Sequence, residues 1–272
     1  VGKQFGVIKV PAPDGSIIEI ATFREDLEYK DGRHPVGVKF SGPEEDARRR
    51  DFTVNALFYD PKTQRILDTF DGMADLQTRR IRAIGTPTAR FKEDALRLLR
   101  AIRFATTLGF EIDPATLEAI RAQSRLITRV SGERIREELG RMLRGPRPAT
   151  ALALLSDCEL LPWILPEIEA LKRVQQPSYV QRNLWLHTLK VVETCTLQNP
   201  ERSEALAWAA ALQEIGKPIA WKKSGEKSFA GHDREAAAAV EKIASRLKFA
   251  ADTTATVATL VRDHLKLREV FN

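Results

Sequence analysis

Two short strings hold the side chains best suited to handling a nucleotide. The first is Arg49-Arg50-Asp51-Phe52-Thr53-Val54-Asn55-Ala56-Leu57. Its two guanidinium groups offer forked donors to phosphate oxygens, and the adjacent carboxylate accepts from a ribose hydroxyl. The same trio also suits a surface ion pair with a helix-starting Asp. The second string runs Arg90-Phe91-Lys92-Glu93-Asp94-Ala95-Leu96-Arg97-Leu98-Leu99-Arg100-Ala101-Ile102-Arg103-Phe104. Its apolar spacing predicts a helix, on which Asp94 and Arg97 share one face. An acceptor and a donor held in one plane can meet the Watson–Crick edge of a base. The plainer account is an ion pair within one helix turn, worth about 0.3 kcal/mol.

Both strings resemble motifs of the class II RNA nucleotidyltransferases, the family of CCA-adding enzymes and bacterial poly(A) polymerases. The first is similar to the family's RRDFTINAL signature. The second is similar to its RFxEDxxRxLRAxRFA element, continued by Leu108-Gly109-Phe110. The resemblance implies that Arg49, Arg50, Asp51 and Asn55 bind nucleotide. It implies that Asp94 and Arg97 form an amino-acid template selecting CTP or ATP, with Arg100 supporting the phosphates. Asp71-Gly72, Asp75-Leu76 and Arg79-Arg80-Ile81-Arg82 look like the hinge between head and neck. Ser131-Gly132-Glu133-Arg134-Ile135 through Leu143 is similar to the neck motif ERIxxELxxLL and is expected to buttress the template helix.

The family's chemistry uses two Mg2+ ions held by carboxylates. Glu19, in Glu19-Ile20-Ala21-Thr22-Phe23-Arg24, matches the position of a third metal ligand and is the catalytic candidate; a solvent-facing strand Glu is the other account. The family's Gly-Gly and DxD motifs do not occur in the sequence. The strand-like opening at Val1 suggests absent upstream sequence, so this chain alone is expected to be inactive and the intact protein active.

A weaker resemblance lies in the C-terminal half. Trp185-Leu186-His187-Thr188-Leu189, Leu212-Gln213-Glu214-Ile215-Gly216-Lys217-Pro218, Gly231-His232-Asp233-Arg234-Glu235 and Val261-Arg262-Asp263-His264 follow the order of an HD-domain metal site. Gln213-Glu214 stands where that domain has His-Asp, and glutamine is a poor transition-metal ligand. The expectation is a degenerate site at His187, Glu214, His232 and His264, within a helical body that packs and holds RNA. The fourth histidine, His34, reads as a loop residue.

These clusters need elements to position them. Residues 1–40 read as β, with Phe5, Val7 and Ile8 leading into a turn at Pro13-Asp14-Gly15 and a second strand from Ile17. Residues 44–59 suit a short helix, and 65–70 a strand ending at the turn Asp71-Gly72. After Thr88 helical periodicity takes over. Helix starts fall at Asp113-Pro114 and Ser131-Gly132, a stop at Gly109, and further helices at 149–160, 184–198, 203–215, 233–247 and 252–267. Lys222 to Lys227 reads as a basic loop. The predicted fold class is α+β, a partial nucleotidyltransferase α/β head followed by an all-helical neck and body. The predicted divisions are 1–86, 87–148 and 149–272.

Apolar residues make up 43% of the 272, enough for a sizeable core, and the net charge of +6 favours polyanionic partners. The two cysteines, Cys158 and Cys195, form neither a disulfide framework nor metal-ligand spacing, which points to a reducing cytoplasm. No apolar run reaches membrane-spanning length. The expected partners are a tRNA or other RNA 3′ end and nucleoside triphosphates; the oligomeric state is not legible. Three functions compete: CCA addition to tRNA, poly(A) addition, and a non-catalytic RNA-binding relic.

Overall fold

The computed structural model describes residues 7–26, 38–174, 183–198, 201 and 203–266. Phe5 and His34 fall outside them. The chain forms two compact units, Val1–Asp94 and Ala95–Asn272.

The first unit opens with the expected hairpin. β1 (Val7–Pro11) pairs antiparallel with β2 (Ile17–Ala21), placing Lys9 opposite Glu19. Asp14 closes the turn by accepting from the Ser16 amide at 2.9 Å and its hydroxyl at 2.6 Å. Gly15 takes the left-handed φ of +82° that only glycine adopts freely. β3 (Arg24–Asp26) pairs antiparallel with β4 (Val38–Phe40).

The helix expected over 44–59 is shorter than its charge pattern suggests. α1 covers only Pro43–Arg48. Phe52 then bridges to Ala83, a 3-10 turn covers Thr53–Asn55, and β5 (Leu57–Asp60) pairs with β6 (Arg65–Asp68). The β-prone Phe58-Tyr59 pair and the ladder partner outweigh helix continuation. At Asp71-Gly72 the expected turn is the start of α2 (Gly72–Gln77). Asp68 caps it, accepting from the Gly72 amide at 2.8 Å and the Met73 amide at 2.9 Å. Gly72 is required there, because a Cβ would lie 2.4 Å from the Thr53 carbonyl oxygen. α3 (Pro87–Glu93) completes the unit. Ala47, Ala56 and Ile84 form a small core, with Phe58 and Phe70 packed against it.

The second unit is helical. α4 (Leu96–Leu108) ends at Gly109, whose φ is +71°. α5 (Pro114–Ala122) starts with Asp113 accepting from the Thr116 amide at 3.1 Å. A 3-10 segment, Ser124–Arg129, leads towards α6 (Gly132–Leu143), followed by α7 (Pro148–Asp157), α8 (Leu161–Ile164) and α9 (Pro166–Glu169). α10 (Leu184–Gln198), α11 (Glu204–Leu212), α12 (Lys217–Lys223), α13 (His232–Leu247) and α14 (Ala251–Asp263) follow. α12 absorbs the start of the expected basic loop, which begins only after Lys223.

α6 is the centre of this unit. It packs on α4, α7, α11 and α13. Its buried Glu138 accepts from Arg103 of α4 at 2.5 Å and pairs with Arg141 at 3.5 Å. The neck motif therefore does buttress α4. Among the described residues, no helix is long and apolar enough to cross a membrane.

Candidate functional site

The arginines of the first string are organised by an acid that sequence reasoning missed. Asp46 is buried on α1 and reaches both. Its Oδ1 accepts from Arg49 Nε at 2.9 Å and Nη2 at 2.6 Å, and from the Arg24 amide at 3.2 Å. Its Oδ2 accepts from Arg50 Nε at 3.0 Å. Burial alone would raise the Asp46 pKa. The hydrogen bond and charge of Arg49, with the Arg24 amide and Arg50, outweigh burial and hold the carboxyl below its ordinary value. The signal was present in the sequence, because Asp46 precedes the two arginines by three and four residues, the spacing at which helical side chains meet.

Asp51 is buried beside this fork. Its Oδ1 accepts from the Phe52 amide at 3.0 Å and from Asn55 Nδ2 at 2.9 Å. Asn55 therefore orients the carboxylate expected to meet a ribose hydroxyl. The Arg50 guanidinium lies 5.3 Å from the Phe58 ring centroid. The unit thus brings Arg49, Arg50, Asp51 and Asn55 into one short segment, fixed from behind by Asp46.

A second buried acid ties the hinge motif to this segment. Asp75 Oδ2 accepts from the Thr53 hydroxyl at 2.6 Å and from Arg82 Nε at 2.8 Å. Arg82 also donates to the Phe70 carbonyl at 2.9 Å. Arg90 reaches back to the Arg48 carbonyl at 2.7 Å and pairs with Glu93 at 2.7 Å.

The second string departs from expectation. Asp94 and Arg97 do not share a helix face, because α3 ends at Glu93 and Asp94 is extended, with φ −145° and ψ 105°. α4 begins only at Leu96, with Arg97 in its first turn. Phe91 before the break and Leu98 and Leu99 after it are all buried. Arg97 is buried in the second unit. Arg100 lies 5.2 Å and Arg103 4.0 Å from the Phe104 ring centroid.

Glu19 lies on β2, exposed, and pairs across the hairpin with Lys9 at 2.8 Å. Among the described residues no group of three or more His, Cys, Asp or Glu side chains could hold a metal ion. One exposed carboxylate with a lysine partner does not fit a magnesium site by itself.

The four C-terminal residues form two neighbouring pairs. His187 Nε2 lies 3.3 Å from Glu214 Oε1, and the His232 and His264 ring centroids are 5.3 Å apart. Lys217 Nζ lies 2.7 Å from Glu214 Oε2, so an ammonium neutralises the buried carboxylate. Burial pushes the His232 imidazole below its ordinary pKa, and the charge of Lys217 pushes the same way. Lys217 is the residue sequence reasoning overlooked here; it sits one helical turn after Glu214. The Cys158 thiol is pushed up to about 11 by burial, which leaves it inert at neutral pH.

Residues 1–82 match the profile of the poly A polymerase head domain, and residues 109–172 that of a probable RNA and SrmB-binding site of polymerase A. Both profiles describe parts of polymerase A proteins. The chain is 38% identical over 238 residues to the CCA-adding enzyme of Geobacillus thermodenitrificans, covering 81% of this chain and 58% of that protein. It is 44% identical over 179 residues to the CCA-adding enzyme of Lactococcus lactis, covering 64% of this chain and 44% of that one. The chain therefore belongs to the class II family of CCA-adding enzymes and poly(A) polymerases, and it spans less than two thirds of these relatives' length. Solved structures share the fold. The Bacillus stearothermophilus CCA-adding enzyme in complex with CTP matches at a TM-score of 0.56 with 24% identity, covering 99% of this chain and 68% of that one. The Thermotoga maritima CCA-adding enzyme complexed with tRNA matches at 0.55 with 21% identity, covering 98% and 66%.

Proposed function

We propose that this chain belongs to an enzyme that adds nucleotides to the 3′ end of tRNA without a nucleic-acid template, completing the CCA terminus. The relatives' names and the complexes with CTP and tRNA support this choice over poly(A) addition, which uses the same motifs, and over a non-catalytic relic. In the reaction, the RNA 3′-hydroxyl attacks the α-phosphate of CTP or ATP. The new phosphodiester bond forms as the bond to pyrophosphate breaks, and the hydroxyl proton leaves to solvent.

The observation that carries the proposal is the arginine fork. Asp46 holds Arg49 and Arg50 side by side with both guanidinium planes fixed. Such a pair meets a triphosphate without first having to order two long side chains. Asp51, oriented by Asn55, accepts from the ribose. Asp94 and Arg97 select the base and Arg100 supports the phosphates. The break at Asp94 frees the carboxylate from the geometry of a helix face. Mg2+ belongs to the family's chemistry, and Glu19, exposed and paired with Lys9, does not make a site for it alone. Residues 87–148 act as neck and 149–272 as body in this scheme, and the compartment is the cytoplasm. The cluster at His187, Glu214, His232 and His264 serves packing, because Lys217 neutralises the carboxylate a phosphohydrolase would use for metal.

The test uses the full-length enzyme with a tRNA ending at its discriminator base. CMP incorporation is the expected outcome, and AMP incorporation alone would select poly(A) addition. Asp94→Ala is expected to blur CTP-versus-ATP choice in single-turnover assays more than it weakens RNA affinity. Unchanged selection would remove Asp94 from the template role.

A further inference from the structure

An exposed tryptophan in the second unit has an arginine over its ring. Trp163 is 45% exposed, although Leu160, Leu161, Ile164 and Leu165 around it are buried. The largest ring of α8 is thus the one left in solvent. A single exposed apolar side chain is ordinary. What sets Trp163 apart is its neighbour: the Arg125 guanidinium lies 5.6 Å from the ring centroid. Arg125 comes from the 3-10 segment that packs on α8. Among the described residues Arg125 forms no ion pair. Neither do Arg121 and Arg129, four residues to either side and also exposed. Arg121 is held in place by the Asp157 carbonyl at 3.2 Å. The nearest acid along α9, Glu167, is already taken by Arg246 at 2.8 Å. Of these three exposed arginines, which form no ion pair among the described residues, Arg125 is the one that lies over the exposed indole.

We propose that Trp163 and Arg125 form a stacking platform for an unpaired base of the bound RNA, with Arg121 and Arg129 meeting the flanking phosphates. The proposal rests on the RNA-modifying reading above and names a contact for its substrate. The chemistry is that of sequence-tolerant single-strand binding. A π-face takes any base, a guanidinium extends the stack, and cationic side chains follow the backbone. The buried Leu161 and Ile164 anchor the short helix that carries the indole before RNA arrives.

The test measures Kd by fluorescence anisotropy for the full chain with two labelled probes. One is a tRNA lacking its terminal CCA, and the other is a blunt RNA duplex without unpaired bases. Trp163→Ala is expected to weaken tRNA binding about tenfold, and Trp163→Phe to restore most of it. Neither should alter duplex binding. Arg129→Gln should lower the slope of log Kd against log salt by about one, which Trp163→Ala should not. Wild-type tRNA affinity retained in Trp163→Ala would overturn the platform while leaving the RNA reading intact. Equal losses for tRNA and duplex would also overturn it, since they would point to general charge or folding. No binding of either RNA by the wild type would remove both ideas together.

Discussion

Replacing Asp46 separates the two things the buried acid does. It accepts five contacts: two from Arg49 at 2.9 and 2.6 Å, two from Arg50 at 3.0 Å, and the Arg24 amide at 3.2 Å. A hydrogen bond to a charged group contributes roughly 1.5–3 kcal/mol, but these share one carboxylate and are not additive. Water reaches both arginines and screens their attraction. Asp46→Asn, which keeps the shape and loses the charge, should therefore cost about 2 kcal/mol. Asp46→Ala should approach the roughly 3 kcal/mol at the low end for a broken buried pair. For a unit of this size each kcal/mol moves the melting temperature by about 4–8 °C, so Asp46→Asn should melt about 8–16 °C lower. The carboxyl's pKa is depressed in the folded chain. Its contribution is in full above the ordinary value of 3.8 and is lost as pH falls through the lower folded value. Below about pH 4 the wild type should lose stability more steeply than Asp46→Asn. Ordering two freed arginines should also weaken ATP binding about tenfold, read by equilibrium dialysis at a temperature where the variant is folded. Lower stability with unchanged ATP affinity would show that Asp46 is scaffold alone. If neither changes, the account of the fork is wrong.

The other predictions concern packing and protonation. Gly72→Ala should destabilise by about 2 kcal/mol, seen as a lower urea midpoint, because its Cβ would lie 2.4 Å from the Thr53 carbonyl oxygen. Glu138→Gln should lower the urea midpoint of the helical unit by the equivalent of about 3 kcal/mol, since Arg103, 2.5 Å away, would lose its buried counter-charge. Wild-type stability should fall as pH drops below the ordinary histidine value of 6.5, because His232 is buried neutral and the unfolded chain takes up its proton first. His232→Gln should flatten that fall between about pH 5 and 6.5 in urea titrations.

Much of the helical unit was legible because its signals are local. Asp113-Pro114 starts α5, Gly109 ends α4, and apolar spacing gave α6, α7, α10, α13 and α14 to within a few residues. The first unit was harder to read. The string after Pro43 is rich in helix formers, yet Phe52 and Leu57 leave the helix for backbone partners that are distant in sequence or across a turn, Ala83 and Asp68. No local pattern announces such partners. The break at Asp94 was hidden for a related reason. Arg90 to Phe104 reads as one periodic run, and only the extended backbone at Asp94 shows two helices.

Asp46 raises an electrostatic question that the spacing alone does not answer. A buried carboxylate between two arginines cancels one of their two positive charges, which by itself weakens attraction for a triphosphate. Without it, however, two adjacent guanidiniums repel each other and spread into solvent, and a nucleotide would have to order both. Charge acting at a distance is screened within about 10 Å at ordinary salt, whereas a forked donor at contact distance is not. A site that must grip phosphates in one orientation gains more from geometry than from the second charge. Asp75 applies the same solution to Arg82 and Thr53 immediately behind the segment. The first unit therefore places its buried acids where they fix donors in position.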